Sequence, residues 1–400
     1  MGLLLREFHQ CLGARFTEVD GAEAANDYGD WLAECAALRQ SAGVLDLSFR
    51  GRICLVGGDR VRFLHGQVTN DVKRLTAGEG CYAALVTAKG KMESDLNIYC
   101  LADELLLDFE PGLTEKISQR LQKFIVADDV QIVNAAPHYG LLSVQGPKAE
   151  EVIRGLGWFG VPPSGGTGDE NAGGRVMELP NRPFASVKIS DATAGEIYLM
   201  NHARLDGTNG RTDGSQPAVG AHGVTHPTYA GFDVFVPNAS LAAVADNLIA
   251  GAKSIGGRAC GWKAFETARI EAGIPRFGAD MDETNLPQEC GIEQLAVSYQ
   301  KGCYIGQEVI NRIHSFGHVT RELCGLRLAN DLEALPQKHD KLFSNGRDIG
   351  YVTSAVRSPL FNASIALGYV RREANQIGRE LTVRTAAGES RAQIVALPFV

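Results

Sequence analysis

The chain has 400 residues, enough for two or three domains with cores of their own. Its 44% hydrophobic and 22% charged residues are ordinary for a soluble globular protein, and no apolar run approaches the length of a membrane span. A formal charge of −8 without a long basic run excludes a general nucleic-acid coat.

The start, MGLLLREFHQ, carries a leucine run too short for a signal h-region, and charges follow at once. Arg6 stands where a myristoylation signal prefers Ser or Thr. Residues 24–48 predict an amphipathic helix ending near Gly43, followed by a strand. RICLVGGDRVRFLHGQVTNDV predicts a strand, a Gly-Gly turn, a short helix capped by Asp59 and a polar exit at Thr69-Asn70-Asp71. CYAALVTAKGKMESDLNIYCLADELLLDF predicts three strands, with turns at 88–91 and 102–104. A helix with Pro111 at its start, two strands and the helix of PKAEEVIRGLG follow.

Residues 161–174 and 201–227 are rich in Gly, Ser, Asn and Asp and predict mobile surface loops. YAGFDVFVP then reads as a strand, and ASLAAVADNLIAGAKSIG and GWKAFETARIEAG as helices. From about Val319 onward, short strands and turns predict a separate all-β domain, a small barrel. Irregular alternation of hairpins and helices points to an α+β fold, not a doubly wound parallel sheet.

Nine cysteines occur, none in a C-x-x-C pair, which fits a reducing compartment and a cytoplasmic protein. GLGWFG at 155–160 has dinucleotide-fingerprint spacing, but it follows a helix and precedes Pro162-Pro163. Gly155 and Gly157 therefore read as helix C-terminal residues. His222 and His226 are four apart in a glycine-rich loop without a carboxylate at metalloprotease spacing. His314 and His318 lie eleven and fifteen residues beyond Cys303, with Gly317 arguing against a continuous helix. A Cys/His set for iron or zinc there stands beside the plainer reading of polar loop histidines, and no metal ligand is assigned.

QKGCYIGQEV, residues 300–309, is the most unusual stretch. Gly302 and Gly306 frame a turn with special backbone angles around Cys303. A cysteine beside Lys301 in such a loop can be reactive, and a small packing cysteine is the alternative. Gln307 and Glu308 can fix the loop by bonding exposed backbone groups. In KMESDLNIY, Asp95, Asn97 and Tyr99 share one strand face, and Leu96 and Ile98 share the other. An acidic residue on such a face is either solvated or lines a cleft as a base or hydrogen-bond acceptor.

Several stretches, in order, resemble one family. DLSFRGRICLVGGDRVRFLHGQVTND, TAKGKMESDLNIY, RIEAGIPRFGADMDETNLPQE, KGCYIGQEV and IGYVTSAVRSPLFNASIALGYV are similar to the glycine-cleavage T-protein (aminomethyltransferase) superfamily. The likeness covers nearly the whole chain apart from the two glycine-rich loops. The motif Lys301-Gly302-Cys303-Tyr304-x-Gly306-Gln307-Glu308 resembles the YgfZ branch, folate-binding proteins linked to iron–sulfur cluster assembly or repair.

The resemblance implies a three-lobed ring of antiparallel-sheet domains around a tetrahydrofolate site. It implies a folate-binding region of two interleaved lobes over 1–318 and a C-terminal β-barrel over 319–400. Asp95 falls on the superfamily's catalytic aspartate, and Tyr82 and Tyr99 on aromatics near the folate. Asp233 falls on a glutamate that holds the pterin. Phe265 stands in place of a folate-site arginine, or of a tryptophan in the YgfZ pattern. Arg50 stands where that pattern has another tryptophan. An aromatic at 265 suits stacking on a flat pterin.

Three functions are thereby in view. The first is a folate-binding accessory for iron–sulfur enzymes, with Cys303 essential and client or assembly proteins as partners. The second is an aminomethyltransferase. The third is a folate-independent scaffold. A monomer, without membrane attachment, is expected.

Overall fold

The computed structural model describes residues 2–159, 178–206, 230–329 and 332–399. Three β-assemblies organise it. The first is an antiparallel five-stranded sheet in the order Glu79–Val86, Met92–Cys100, Glu104–Phe109, Gly51–Val56, Gln131–Asn134. Its period-two pattern divides its side chains. Ile53, Leu55, Leu96, Ile98, Leu105 and Leu107 pack under the helices Arg60–Gln67 and Thr114–Gln122. Cys54, Tyr99 and Leu106 point the other way.

A second sheet meets that other face. Its order is Ser186–Asp191, Gly195–Asn201, Gly231–Pro237, Tyr139–Gln145, Gly43–Asp46, Arg258–Ala259, and only the last pairing is parallel. Val44, Leu142, Val144 and Val234 pack against the helices Ala149–Gly155 and Leu241–Ser254. Leu45, Leu141, Met200 and Phe235 fill the space between the sheets. Strands buried on both faces explain the nearly continuous apolar runs YGLLSV and FDVFV.

The third assembly is a closed six-stranded barrel, from Arg321–Leu328 through Gly388–Val395, with its own core around Leu326, Leu342, Val370 and Val383. Met281, Cys290 and Tyr304 pack Tyr369 of the barrel against Ala84, Val86 and Met92 of the first sheet. A buried polar link joins the barrel to the helix Trp262–Glu271. Arg269 pairs with Asp280, whose Oδ1 accepts from Thr353 Oγ1 at 2.5 Å and Ser354 Oγ at 2.7 Å. The α+β class, the antiparallel sheets and the C-terminal barrel thus match the expectation.

Several local expectations do not hold. Residues 22–27 form a strand, and the helix begins only at Trp31, capped by the Asp30 carboxylate on the Ala33 N–H. Ala22–Asp27 is one arm of a hairpin with Arg15–Val19, turned at Asp20-Gly21, where both residues have positive φ. Asp59 occupies the N-cap position, but its carboxylate accepts from the Asp129 N–H and the Arg62 side chain instead of from the backbone N–H groups of the helix. Pro111 precedes the helix Thr114–Gln122 by three residues. Most of the expected mobile loops fall outside the described residues, as do His222 and His226. Within 201–206, however, His202 and Arg204 are buried.

Candidate functional site

Asp95 sits in the strand Met92–Cys100, opposite Ala84. Tyr82, on the neighbouring strand, donates its hydroxyl to Asp95 Oδ2 at 2.8 Å. Asp95 Oδ1 is buried and has no partner among the described residues. Burial, then the nearby charge of Glu110, push this carboxyl up to about 6, against the pull of the Tyr82 bond and of Arg50. A carboxyl titrating near neutrality, with one unsatisfied oxygen, is equipped to accept a hydrogen bond from a ligand or to exchange a proton with it.

Beside it runs a buried chain of charges that crosses from the first sheet to the second. Arg50 pairs with Glu110 and, at 2.9 Å through Nε, with Asp108. Asp108 Oδ2 accepts from Asn97 at 2.9 Å and from Arg204 at 2.8 Å. Arg204 reaches on to Asp233, whose Oδ2 also lies 2.9 Å from His202 Nδ1. Ser143 donates to Asp233 Oδ1 at 2.7 Å. The Tyr99 hydroxyl lies 2.9 Å from the same His202 nitrogen. At the other end, Arg276 bridges Glu110 at 3.1 Å and Asp20 at 2.6 Å.

Burial opposes ionisation of Asp108, but Arg50 and Arg204 outweigh it and hold the carboxyl well below its usual range. The same contest, won by Arg204 and His202, keeps Asp233 low. Arg50 and Arg276 do so for Glu110. Burial and the charge of Arg204 keep His202 below its ordinary value.

The residues named from sequence therefore separate into groups. Tyr82 and Asp95 meet directly. Arg50 and Asp233 belong to the charge chain, and every oxygen of Asp233 is already engaged. Tyr99 is fully buried among Phe184, His202 and Phe235, with ring centroids 6.3, 6.4 and 6.1 Å away. It does not join Tyr82 at Asp95. Phe265 lies in the core between the sheets, 5.4 Å from the ring of Trp262. Glu110, Asp108 and Arg204 were missed. Asp108 and Glu110, two apart in the apolar run LLLDFEP, carried a readable signal: a carboxylate inside an otherwise apolar strand and a second just past its end, on the same side by period two.

The Cys303 turn lies apart from that chain. Cys303 is exposed. Lys301 is buried, and its ammonium donates to the carbonyls of His65, Val68 and Asn70 at 2.6, 2.6 and 2.8 Å. It thus caps the C-terminal end of the helix Arg60–Gln67 and is committed there instead of to Cys303. Burial draws Lys301 down to about 8. Of the two framing glycines only Gly306 takes a left-handed backbone, φ +86°. A Cβ on Gly306 would stand 2.6 Å from the Thr87 carbonyl oxygen. Gly306 is the N-cap of a helix, Gln307–Phe316, so the expected loop turns helical from Gln307 onward. Gln307 Nε2 lies 3.4 Å from the Lys301 oxygen, and Glu308 is in the first turn of that helix. Tyr304 is buried with its hydroxyl unpartnered among the described residues. His314 stacks on Tyr299, centroids 3.7 Å apart, and contacts Glu293 at 3.0 Å. Among the described residues no cluster of three or more His, Cys, Asp or Glu side chains is placed to hold a metal ion.

Comparison with known proteins bears on this geometry. The family model of the GCVT N-terminal domain matches residues 5–158 and 218–301, and that of the glycine cleavage T-protein C-terminal barrel domain matches 321–400. The aminomethyltransferase of Geobacillus sp. (strain WCH70) is 26% identical over 388 residues, covering 97% of this chain and 95% of its own. That of Rubrobacter xylanophilus is 27% identical over 395 residues, covering 99% and 93%. The crystal structure of the glycine cleavage system aminomethyltransferase T from Bartonella henselae superposes with a TM-score of 0.81 at 21% identity, over 100% of this chain and 98% of that one.

Proposed function

This chain belongs to the glycine-cleavage T-protein family, and on that premise we propose that it binds a reduced folate at Asp95 and carries out one-carbon transfer of the aminomethyltransferase type. The observation that carries the reading is the state of Asp95. One oxygen is tethered by Tyr82, the other is buried and unpartnered among the described residues, and burial pushes the carboxyl up to about 6. That oxygen fits an N–H donor of a folate. Bound folate would supply the nitrogen that accepts or releases the one-carbon unit. Asp95 would accept the N–H donor, steady positive charge developing on the transferred carbon, and hold or release a proton. Tyr82 would fix the carboxylate's orientation.

The second folate carboxylate that the resemblance implies, Asp233, is saturated by Arg204, His202 and Ser143. Recognition therefore rests on Asp95 and its surroundings unless Arg204 is displaced. Tetrahydrofolate titrated into the wild type and Asp95→Asn, followed by a glycine-cleavage assay with lipoylated carrier protein, tests the reading. Loss of binding in the folded variant and turnover by the wild type support it. Binding without turnover favours the second reading.

That second reading is a folate-binding accessory of the YgfZ kind, supporting iron–sulfur enzymes together with client or assembly proteins. It is favoured by one observation, the exposed Cys303 held in the KGCYIGQE turn. Nine free cysteines support a reducing, cytoplasmic setting for either role. We also propose a monomer divided into a folate-binding region over 1–318 and the barrel domain over 319–400.

A further inference from the structure

We propose that a cavity between the two sheets, separate from Asp95, is a binding site for a small monocarboxylate with an apolar body, its carboxylate held by Arg52. The cavity has a volume of about 350 Å³, and Arg52, Leu106, Ala135, His138, Tyr198 and Phe235 are among the residues of its wall. That volume is at the lower end of the ~300–1,000 Å³ range of small-molecule sites, which favour seams between structural layers. Neither Asp95 nor Tyr82 lines it.

Arg52 is the reason to expect an anion. It is fully buried. Arg50, Arg204, Arg269 and Arg276 each contact a carboxylate. Arg52 has none at ion-pair distance among the described residues. Its Nη2 donates to the carbonyls of Ser48 and Tyr139 at 3.0 and 2.9 Å, and its Nη1 to that of Arg50 at 3.2 Å. A guanidinium has five N–H donors. Nε–H is among those left over, buried without a partner among the described residues. Burial draws Arg52 down to about 10, so it is still a cation at neutral pH, with Asp108 and Asp46 close enough to favour its charge. A buried charge without a contacting counter-ion is unfavourable, and a bound anion offsets that cost.

The rest of the wall sets the class. Leu106, Ala135 and Phe235 are apolar and buried. Tyr139 and Tyr198 meet edge to face with centroids 6.0 Å apart. Glu104 also lines the cavity, so a second negative group would meet repulsion there. A monocarboxylate is therefore favoured over a dicarboxylate or a phosphate ester.

The test is calorimetric titration of the full chain with octanoate, 1-octanol and octanedioate. The expected result is one saturable octanoate site per chain, with the alcohol and the diacid each at least tenfold weaker. Arg52→Met should remove the preference for octanoate over octanol. Because that variant also frees three carbonyls and can fail to fold, Ala135→Phe is the second arm. It fills the cavity, leaves Arg52 in place, and should weaken octanoate at least tenfold. Absence of saturable octanoate binding, equal affinity for octanol, or full affinity in Ala135→Phe would each overturn the proposal.

Discussion

The hydroxyl of Tyr82 donates to Oδ2 of Asp95 at 2.8 Å, while Oδ1 of the same carboxylate is buried without a partner among the described residues. The bond pulls the carboxyl down, against burial and Glu110, which push it up. Tyr82→Phe should therefore move Asp95 further above about 6. Carboxyl carbon NMR across a pH titration reads this directly. An unchanged or lowered value would show that the Tyr82 bond has no hold on the carboxylate.

Arg204 stands between Asp108 and Asp233, so Arg204→Met takes the one arginine from buried Asp233 and leaves buried Asp108 with Arg50 alone as its cation. Breaking one partner out of a buried pair costs about 3–5 kcal/mol. Urea unfolding at neutral pH should show a loss of that order. A loss under about 1 kcal/mol would mean that the chain of charges contributes little to holding the two sheets together.

The same carboxylates set the acid response. Asp108 and Asp233 are held below the ordinary 3.8, and Glu110 below 4.5. Below those ordinary values the unfolded chain binds more protons than the folded one, so stability must fall as pH falls. Their contribution is complete above about pH 4.5 and declines progressively beneath it. Asp95, raised to about 6, works in the opposite direction. Between its ordinary 3.8 and about 6 the folded state binds the extra proton, so its protonation favours folding as pH drops through that window. Unfolding free energies measured from pH 7 to 3 should decline most steeply at the acid end. Asp95→Asn should remove the opposing trend between pH 4 and 6. An identical pH profile in wild type and variant would contradict the raised value.

How much of this was legible beforehand follows from what each feature depends on. The three strands over 79–109 could be read because alternation and turn residues are local. The barrel could be read for the same reason. The exposure of Cys303 could not be read, because its turn fits a reactive and a packing cysteine alike. The charge chain could not be read, because Arg50 meets Asp108 58 residues away and Arg204 meets it from 96 residues away. Burial of a charge is decided by such distant partners. The hairpin at Asp20-Gly21 was readable from its turn dipeptide but lay beside a stretch whose alanines mimic a helix. Lys301 shows the reverse error, since its nearness to Cys303 in sequence hid its actual role as a cap on carbonyls of residues 65–70.

Lys301→Met should be far more damaging to folding than Cys303→Ser. The first leaves three carbonyls without their donor and should cost about 3 kcal/mol. The second alters an exposed side chain and should stay within about 0.5 kcal/mol of wild type. Under the iron–sulfur reading, folded Cys303→Ser should still fail to restore cluster-enzyme activity in cells lacking the protein. Full complementation would reduce Cys303 to a surface residue of the turn.

The most direct test of the central claim is tetrahydrofolate affinity by calorimetry in the wild type and in Asp95→Asn, with both shown to be folded by urea unfolding. Losing a hydrogen-bonding carboxylate from a ligand site costs roughly 1.5–3 kcal/mol, a fall in affinity of about ten- to a hundredfold. The expected result is saturable binding by the wild type and a loss of that size in the variant. Equal affinity in the two folded proteins, or no binding by the wild type, would contradict the assignment of Asp95 as the folate centre.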